Sequence, residues 1–410
     1  MMRLLSPTRF LLASLLACLP LSANAQAADK YLARARHILA TTPLIDGHND
    51  LPWRIREDSI ARGNVDLYDL RKKTPGHTDF ARLKQGMIGA QFWSVYTPGE
   101  WRDSDYAKVQ LQQIDIARRV IAKYPDKLQL ALKAEDIPRI FHQGKIASML
   151  GLEGGHAIEN SLGLLRDYYD LGVRYMTLTH NVTLDWADAA LDSAKHGGLT
   201  PFGDSVVLEM NRLGMLVDLA HVSPGTMSDA LNVTRAPVIF SHSGARAIVD
   251  VPRNVPDSIL RRVTANGGIV MVPFVNGFIS PEVAAWDRAL GAAMRDARRE
   301  AGADSAALRT ARDAWERTHP KPYATLSQVA DQIEHVRKVA GVDHVGIGGD
   351  FDGIDDVITG LEDVSKYPDL FAELARRGWS DADLRKLAGE NLLRVFRAAE
   401  KVSARMRAGS

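Results

Sequence analysis

The chain has 410 residues, 46% of them hydrophobic and 25% charged, and 51 basic side chains against 50 acidic ones leave a net charge of +1. A chain of this length and composition holds one large domain or two ordinary ones and buries its core without disulfide or metal staples. The even charge balance, with no sustained basic run, argues against nucleic acid or another polyanion as a partner.

At the N-terminus, Arg3 and Arg9 precede an apolar stretch at 10–21 that is too short to span a bilayer, and Ala23-Asn24-Ala25 follows as a small-x-small cleavage pattern. This order predicts a signal peptide over residues 1–25, a mature chain over 26–410, and export to a bacterial periplasm without stable membrane insertion. The alternative is a lipoprotein anchored at Cys18, because Leu15-Leu16-Ala17-Cys18 loosely resembles a lipobox. Cys18 is the only cysteine, so a mature chain has no disulfide, no thiolate nucleophile and no thiolate metal site.

Eight apolar runs follow, each bounded as a buried strand: 44–48, 88–95, 147–155, 175–180, 214–221, 237–243, 268–274 and 345–351. Amphipathic helical patterns at 106–123, 162–171, 202–213 and 255–266 lie between them, and Gly172, Gly214 and Gly267 stand at helix stops. Alternating strands and helices predict a parallel sheet, and eight units predict an α/β fold closed as a (β/α)₈ TIM-type barrel. One segment breaks the rhythm: 280–322, dense in Ala, Arg, Asp and Glu, reads as a helical insertion after the seventh strand. It is either a surface excursion or a lid or oligomer contact. The stretch 381–405 is helical again and is expected to pack on the barrel exterior.

Five of the runs end in side chains able to bind a divalent metal, and strand C-termini are where such barrels build active sites. In Leu44-Ile45-Asp46-Gly47-His48-Asn49-Asp50, residues two apart share a face, so His48 and Asp50 point the same way. Imidazole with carboxylate suits a borderline ion such as zinc. Glu153 ends an otherwise apolar run, and an unpaired carboxylate buried there is costly unless cations meet it; being bidentate, it can bridge two of them. His221 and His242 close two further runs. Together these residues predict a two-metal site, with His48, Asp50 and Glu153 on one ion and Glu153, His221 and His242 on the other. Such a pair lowers the pKa of a bound water to about 7 and polarises a carbonyl.

Asp350, in Gly348-Gly349-Asp350-Phe351-Asp352-Gly353, is the candidate proton shuttle, with Asp352 as the competing assignment. His180, in Thr179-His180-Asn181, is placed to donate to a substrate carbonyl oxygen. Arg253, in Val251-Pro252-Arg253-Asn254, is a candidate clamp for a substrate carboxylate or else a surface ion-pair partner. The remaining histidines, including His77 and His156, read as structural or surface residues.

These motifs resemble the membrane dipeptidase family, also called renal dipeptidases. The resemblance rests on Asp46-Gly47-His48-Asn49-Asp50-Leu51-Pro52-Trp53, Glu153-Gly154-Gly155-His156, Asp218-Leu219-Ala220-His221-Val222-Ser223, Ser241-His242-Ser243, Arg253-Asn254-Val255-Pro256-Asp257, Gly348 to Gly353, and tail motifs around Glu362 and Asn391. It covers nearly the whole mature chain. It implies a binuclear zinc (β/α)₈ hydrolase that cleaves dipeptides with free amino and carboxyl termini and tolerates a D-residue at the carboxyl end. It also implies Glu153 as the bridging ligand, His48 and Asp50 on one zinc, His221 and His242 on the other, and His180 and Arg253 as substrate contacts, with Asp350 near the metals. Homodimerisation and opening of β-lactam rings follow by the same analogy. The chain departs from animal members in lacking their cysteines and a C-terminal apolar tail, in its longer insertion, and in having Phe278 where a tyrosine is expected. Two rivals stand: another amide or lactone hydrolase or deaminase on the same barrel, and a non-catalytic binding protein.

Overall fold

The computed structural model describes residues 19–101, 105–302 and 304–409, with side chains from Lys30 onward except Ala301. Residues 1–18, which hold Cys18 and most of the expected export signal, lie outside the described residues. Among the described residues, no helix is long and apolar enough to cross a membrane.

Among the described residues nine strands form: β1 (Leu44–Asn49), β2 (Ile88–Tyr96), β3 (Leu128–Leu130), β4 (Ile146–Glu153), β5 (Val173–Thr177), β6 (Leu216–Asp218), β7 (Ile239–Phe240), β8 (Ile269–Val272) and β9 (Val345–Ile347). Pairing runs β2-β1-β9-β8-β7-β6-β5-β4, all parallel, and a β2–β4 ladder from Ala90↔Ala147 to Tyr96↔Glu153 closes the ring. This is an eight-stranded (β/α)₈ barrel. The ninth strand, β3, stands outside the ring and pairs only with the first residues of β4. It escapes a search for apolar runs because its sequence, Leu128-Gln129-Leu130, is broken by a polar residue and only its first side chain is buried.

The near-continuous apolar character of the strands has a direct cause, since both faces of every strand are covered. Ile45, Phe92, Met149, Tyr175, Leu216, Ile239 and Met271 point into the barrel, and their neighbours Leu44, Trp93, Leu150, Met176, Val217, Phe240 and Val270 pack against the surrounding helices. The helix at Tyr106–Lys123 has the bounds that its periodicity predicts. The helix Pro201–Leu213 begins where Thr200 caps Gly203 N and ends at Gly214, whose φ of 86° reverses the chain into β6.

Of the 381–405 stretch, Leu384, Leu387 and Ala388 pack in the outer layer as expected, but the last helix departs from expectation. Leu392, Leu393, Val395, Phe396 and Ala399 join the cluster of barrel-interior residues rather than the outer layer. Asn391 Nδ2 donates to Val342 O and Val345 O, and Ser403 Oγ donates to Arg212 O, all at or before strand beginnings. The helix Asn391–Ala408 therefore plugs the N-terminal mouth of the barrel. Periodicity reports an apolar face but not the surface it meets.

The 280–322 segment follows β8, the seventh strand of the ring, and forms two helices, Pro281–Ala301 and Ser305–Thr318. The second buries no side chain. The first is anchored by Val283, Ala284 and Trp286, whose Nε1 donates to His319 O at 2.7 Å.

Candidate metal centre and active site

Six of the eight ring strands, β4 to β9, end earlier than the apolar runs that predict them, and much of the chemistry lies just beyond the ladders. β5 stops at Thr177, before His180; β6 stops at Asp218, before His221; β9 stops at Ile347, before Asp350. Past these points the backbone leaves β geometry to turn side chains over the barrel mouth. His221 (φ 66°), Asp350 (φ 62°) and Asp352 (φ 67°) occupy the left-handed region, which bulky residues seldom adopt except at functional sites.

These turns converge on Glu153 at the end of β4. Its Oε2 lies 3.4 Å from His48 Nε2, while its Oε1 lies 3.1 Å from His221 Nε2, 3.5 Å from His242 Nε2 and 3.9 Å from His180 Nε2. His48 Nε2 also stands 3.1 Å from Asp50 Oδ2 and 3.9 Å from Asp350 Oδ1. Six predicted residues thus surround one carboxylate whose two oxygens face different partners.

The outer nitrogens of the histidines are fixed by residues that sequence reading did not single out. His242 Nδ1 lies 2.8 Å from Ser241 Oγ, which itself donates to Asp218 Oδ2 at 2.6 Å, so the imidazole is the donor in the first contact. Asn181 Oδ1 accepts from His221 Nδ1 at 3.1 Å, and His48 Nδ1 meets the Tyr175 hydroxyl at 2.8 Å. With Nδ1 protonated in His221 and His242, both Nε2 lone pairs face each other at 2.9 Å. That arrangement is repulsive unless a cation receives both. Buried His48 Nε2 and Asp50 Oδ1 likewise have no hydrogen-bond partner. Nitrogen and carboxylate donors with outer atoms held in this way fit a divalent metal centre.

The electrostatics agree. Burial pulls the His48 imidazolium down, yet Tyr175, Asp50 and Glu153 overcome it and hold His48 well above its ordinary pKa. Burial also pushes Glu153 up and drives His221 and His242 well below the usual histidine range, with the Arg253 charge adding to the effect on both histidines. The carboxylates demand positive charge at the centre, and the neutral histidines offer lone pairs to it.

A second buried carboxylate aligns the frame. Asp46 accepts from His48 N at 2.8 Å, Gly349 N at 3.2 Å and the Tyr367 hydroxyl, tying the end of β1 to the loop that carries Asp350. Burial pushes its pKa up to about 7. Gly151 on β4 makes room for Tyr175: a Cβ there would stand 2.0 Å from the ring. Gly151→Ala is expected to cost about 1–3 kcal/mol of stability and to weaken metal binding by displacing the phenol from His48. Urea unfolding beside a metal titration checks this; a variant matching the parent in both would refute it.

Above the centre opens a cavity of about 340 Å³, walled by Trp53, Tyr96, His180, Arg253, Phe278 and Ile354 among others. Arg253 is 2% exposed, its Nη1 lacks a partner, and its guanidinium stands 5.2 Å over the Phe278 ring. It is not a surface ion-pair residue. Asp352 faces away, accepting from His77 N at 2.7 Å while its own N donates to His77 Nδ1 at 3.0 Å. His156 is buried against Thr97 O and Tyr106, a structural histidine as expected. Asn181 and Ser241 adjoin His180 and His242 in the chain and were legible by adjacency; Asp46 and Asp218 stood in the resemblance motifs with no role assigned, and Tyr175 carried no signal beyond membership of a strand.

Comparison with known proteins agrees with this reading. The membrane dipeptidase family (Peptidase family M19) matches residues 32–410. An uncharacterized dipeptidase of Schizosaccharomyces pombe is 44% identical over 382 residues, spanning 90% of this chain and 83% of the relative. Among solved structures, a probable dipeptidase of Pseudomonas aeruginosa superposes with a TM-score of 0.79 at 24% identity, over 91% of this chain and 99% of its own. A metallo peptidase of Rhodobacter sphaeroides, solved with a phosphinate mimic of L-Ala-D-Ala, gives 0.71 at 22% identity over 88% and 99%. A match of this extent, meeting a metal-type donor cluster at the mouth of a (β/α)₈ barrel, places the chain in the membrane dipeptidase family of metallopeptidases.

Proposed function

We propose that residues 26–410 act as one exported catalytic domain, a dipeptidase with two zinc ions that hydrolyses dipeptides with free termini and tolerates a D-residue at the carboxyl end. The observation that carries this reading is the split of Glu153: Oε2 toward His48, Oε1 toward His221 and His242. His48 and Asp50 would hold one ion, His221 and His242 the other, and Glu153 would bridge them. When bound, such a pair acidifies water to a pKa near 7 and polarises the scissile carbonyl.

The protein supplies the remaining work. Arg253, buried and unpaired at Nη1, clamps the substrate carboxylate at the cavity wall. His180, kept neutral by burial and by the Arg253 charge, donates a ring N–H to the carbonyl oxygen as negative charge develops there. Burial raises Asp350 well above the carboxylate range while His48 pulls it back, so it can accept and return a proton. As the C–N bond breaks and the water oxygen bonds the carbonyl carbon, Asp350 passes one water proton to the leaving nitrogen.

The test is hydrolysis of L-Ala-D-Ala and L-Ala-L-Ala by protein of counted metal content, with and without a chelator. Chelator-sensitive cleavage with two zinc ions per chain is expected. Two bound metals without cleavage of either dipeptide would move the activity to another amide or lactone.

A further inference from the structure

The chain on either side of the inserted helices is tied to the cavity walls, first of all through a buried side chain. Asn276, 5% exposed, opens the short helix Asn276–Ile279, between the cavity-lining Val275 and Phe278. Its Oδ1 accepts from Ala324 N at 2.8 Å, just beyond the insertion, and its Nδ2 donates to Asp356 O at 2.9 Å. Asp356 belongs to the loop that brings Asp350, Gly353 and Ile354 to the cavity lining.

Two further ties run in parallel. The Lys321 ammonium pairs with the Asp356 carboxylate and lies 5.2 Å from the centre of Trp286, the anchor of the first inserted helix. Thr359 N donates to Ala324 O and Leu326 N to Thr359 O, both at 2.9 Å, so the chain leaving the insertion is stitched to the far end of the same loop. On the other side, Asn254 Nδ2 donates to Phe278 O at 2.9 Å, joining that wall to the segment carrying Arg253.

We propose that the insertion is a clamp on the substrate cavity: Asn276 and the Lys321–Asp356 pair lock the Asp350–Ile354 loop to the Phe278–Arg253 wall and act as positioning residues for hydrolysis. The separation of the carboxylate anchor from the proton-transfer group is then set by contacts outside the metal centre. This rests on the roles proposed above for Arg253 and Asp350.

The experiment compares Lys321→Asp, Asp356→Lys, the double exchange of the two, and Asn276→Ala, on metal-counted protein. Each single variant is expected to lose about tenfold in kcat/KM toward L-Ala-D-Ala, mainly through KM, with metal content unchanged. The double exchange is expected to recover most of the loss, whereas a merely structural pair would leave KM unchanged in the single variants. Hydrogen exchange of the 350–358 amides, faster in the single variants and restored in the double exchange, reads the same clamp without any turnover. Unchanged exchange, or unchanged KM in a parent that cleaves, would overturn the clamp. A parent that binds metal but cleaves no dipeptide would overturn the proposed function instead, leaving the exchange data to decide the clamp. Should Asn276→Ala fail to fold, the Lys321–Asp356 exchange decides alone.

Discussion

Glu153→Gln is expected to bind fewer than two metal ions per chain and to lose dipeptide hydrolysis. An amide keeps the shape of the side chain and one carbonyl oxygen but removes the second anionic donor, and only a carboxylate can serve His48 on one edge and His221 with His242 on the other. The same substitution should leave the metal-free protein no less stable. Burial already works against the Glu153 charge, and replacing a buried charge by a neutral isostere removes that desolvation penalty. What should shrink is the gain in melting temperature on adding zinc, because binding to the folded state alone stabilises it by mass action. Elemental analysis and thermal melts with and without zinc make the check. Full stoichiometry with full activity would refute the bridging role, and a lower melting temperature of the metal-free variant would refute the electrostatic account.

Asp350→Asn should separate binding from chemistry. Asp350 sits farther from His48 Nε2, at 3.9 Å, than Asp50 at 3.1 Å, and it lines the cavity on a left-handed backbone. Both metals are expected to remain, while turnover falls by about 10²–10⁴, the usual contribution of a positioned acid–base group. Calorimetric metal titration with single-turnover kinetics reads both quantities. Normal turnover would reassign proton transfer. Asp352 is a poor substitute, since its carboxylate is engaged with His77 N on the far side of the turn.

Much of this was legible because the barrel's logic is written in local pattern. Apolar runs punctuated by amphipathic helices specify a parallel, doubly covered sheet, and a polar residue ending an apolar run is costly enough to need a reason. His48, Asp50, Glu153, His221, His242 and Asp350 all carried that signature, and they meet within a few ångströms at the barrel mouth. Residues whose work is to orient others were hidden. Tyr175 reads as one more aromatic strand residue until the ring closure of the barrel sets its hydroxyl against His48. Asp46 and Asp218 open the motifs that carry His48 and His221, and only through-space contacts with Gly349, Tyr367 and Ser241 show what they hold.

The sequence alone determined the strand and helix alternation, the types of the candidate metal-binding side chains and their placement at or just beyond strand ends, because period, polarity and capping act between near neighbours along the chain. Only the tertiary structure decided where each strand stops, that the C-terminal helix plugs the barrel, that Asp352 turns away from the cavity, and that the insertion is tied to the Asp350 loop. Those outcomes depend on contacts between residues far apart in the chain, and no local pattern records which distant surface an apolar face or a buried amide will meet.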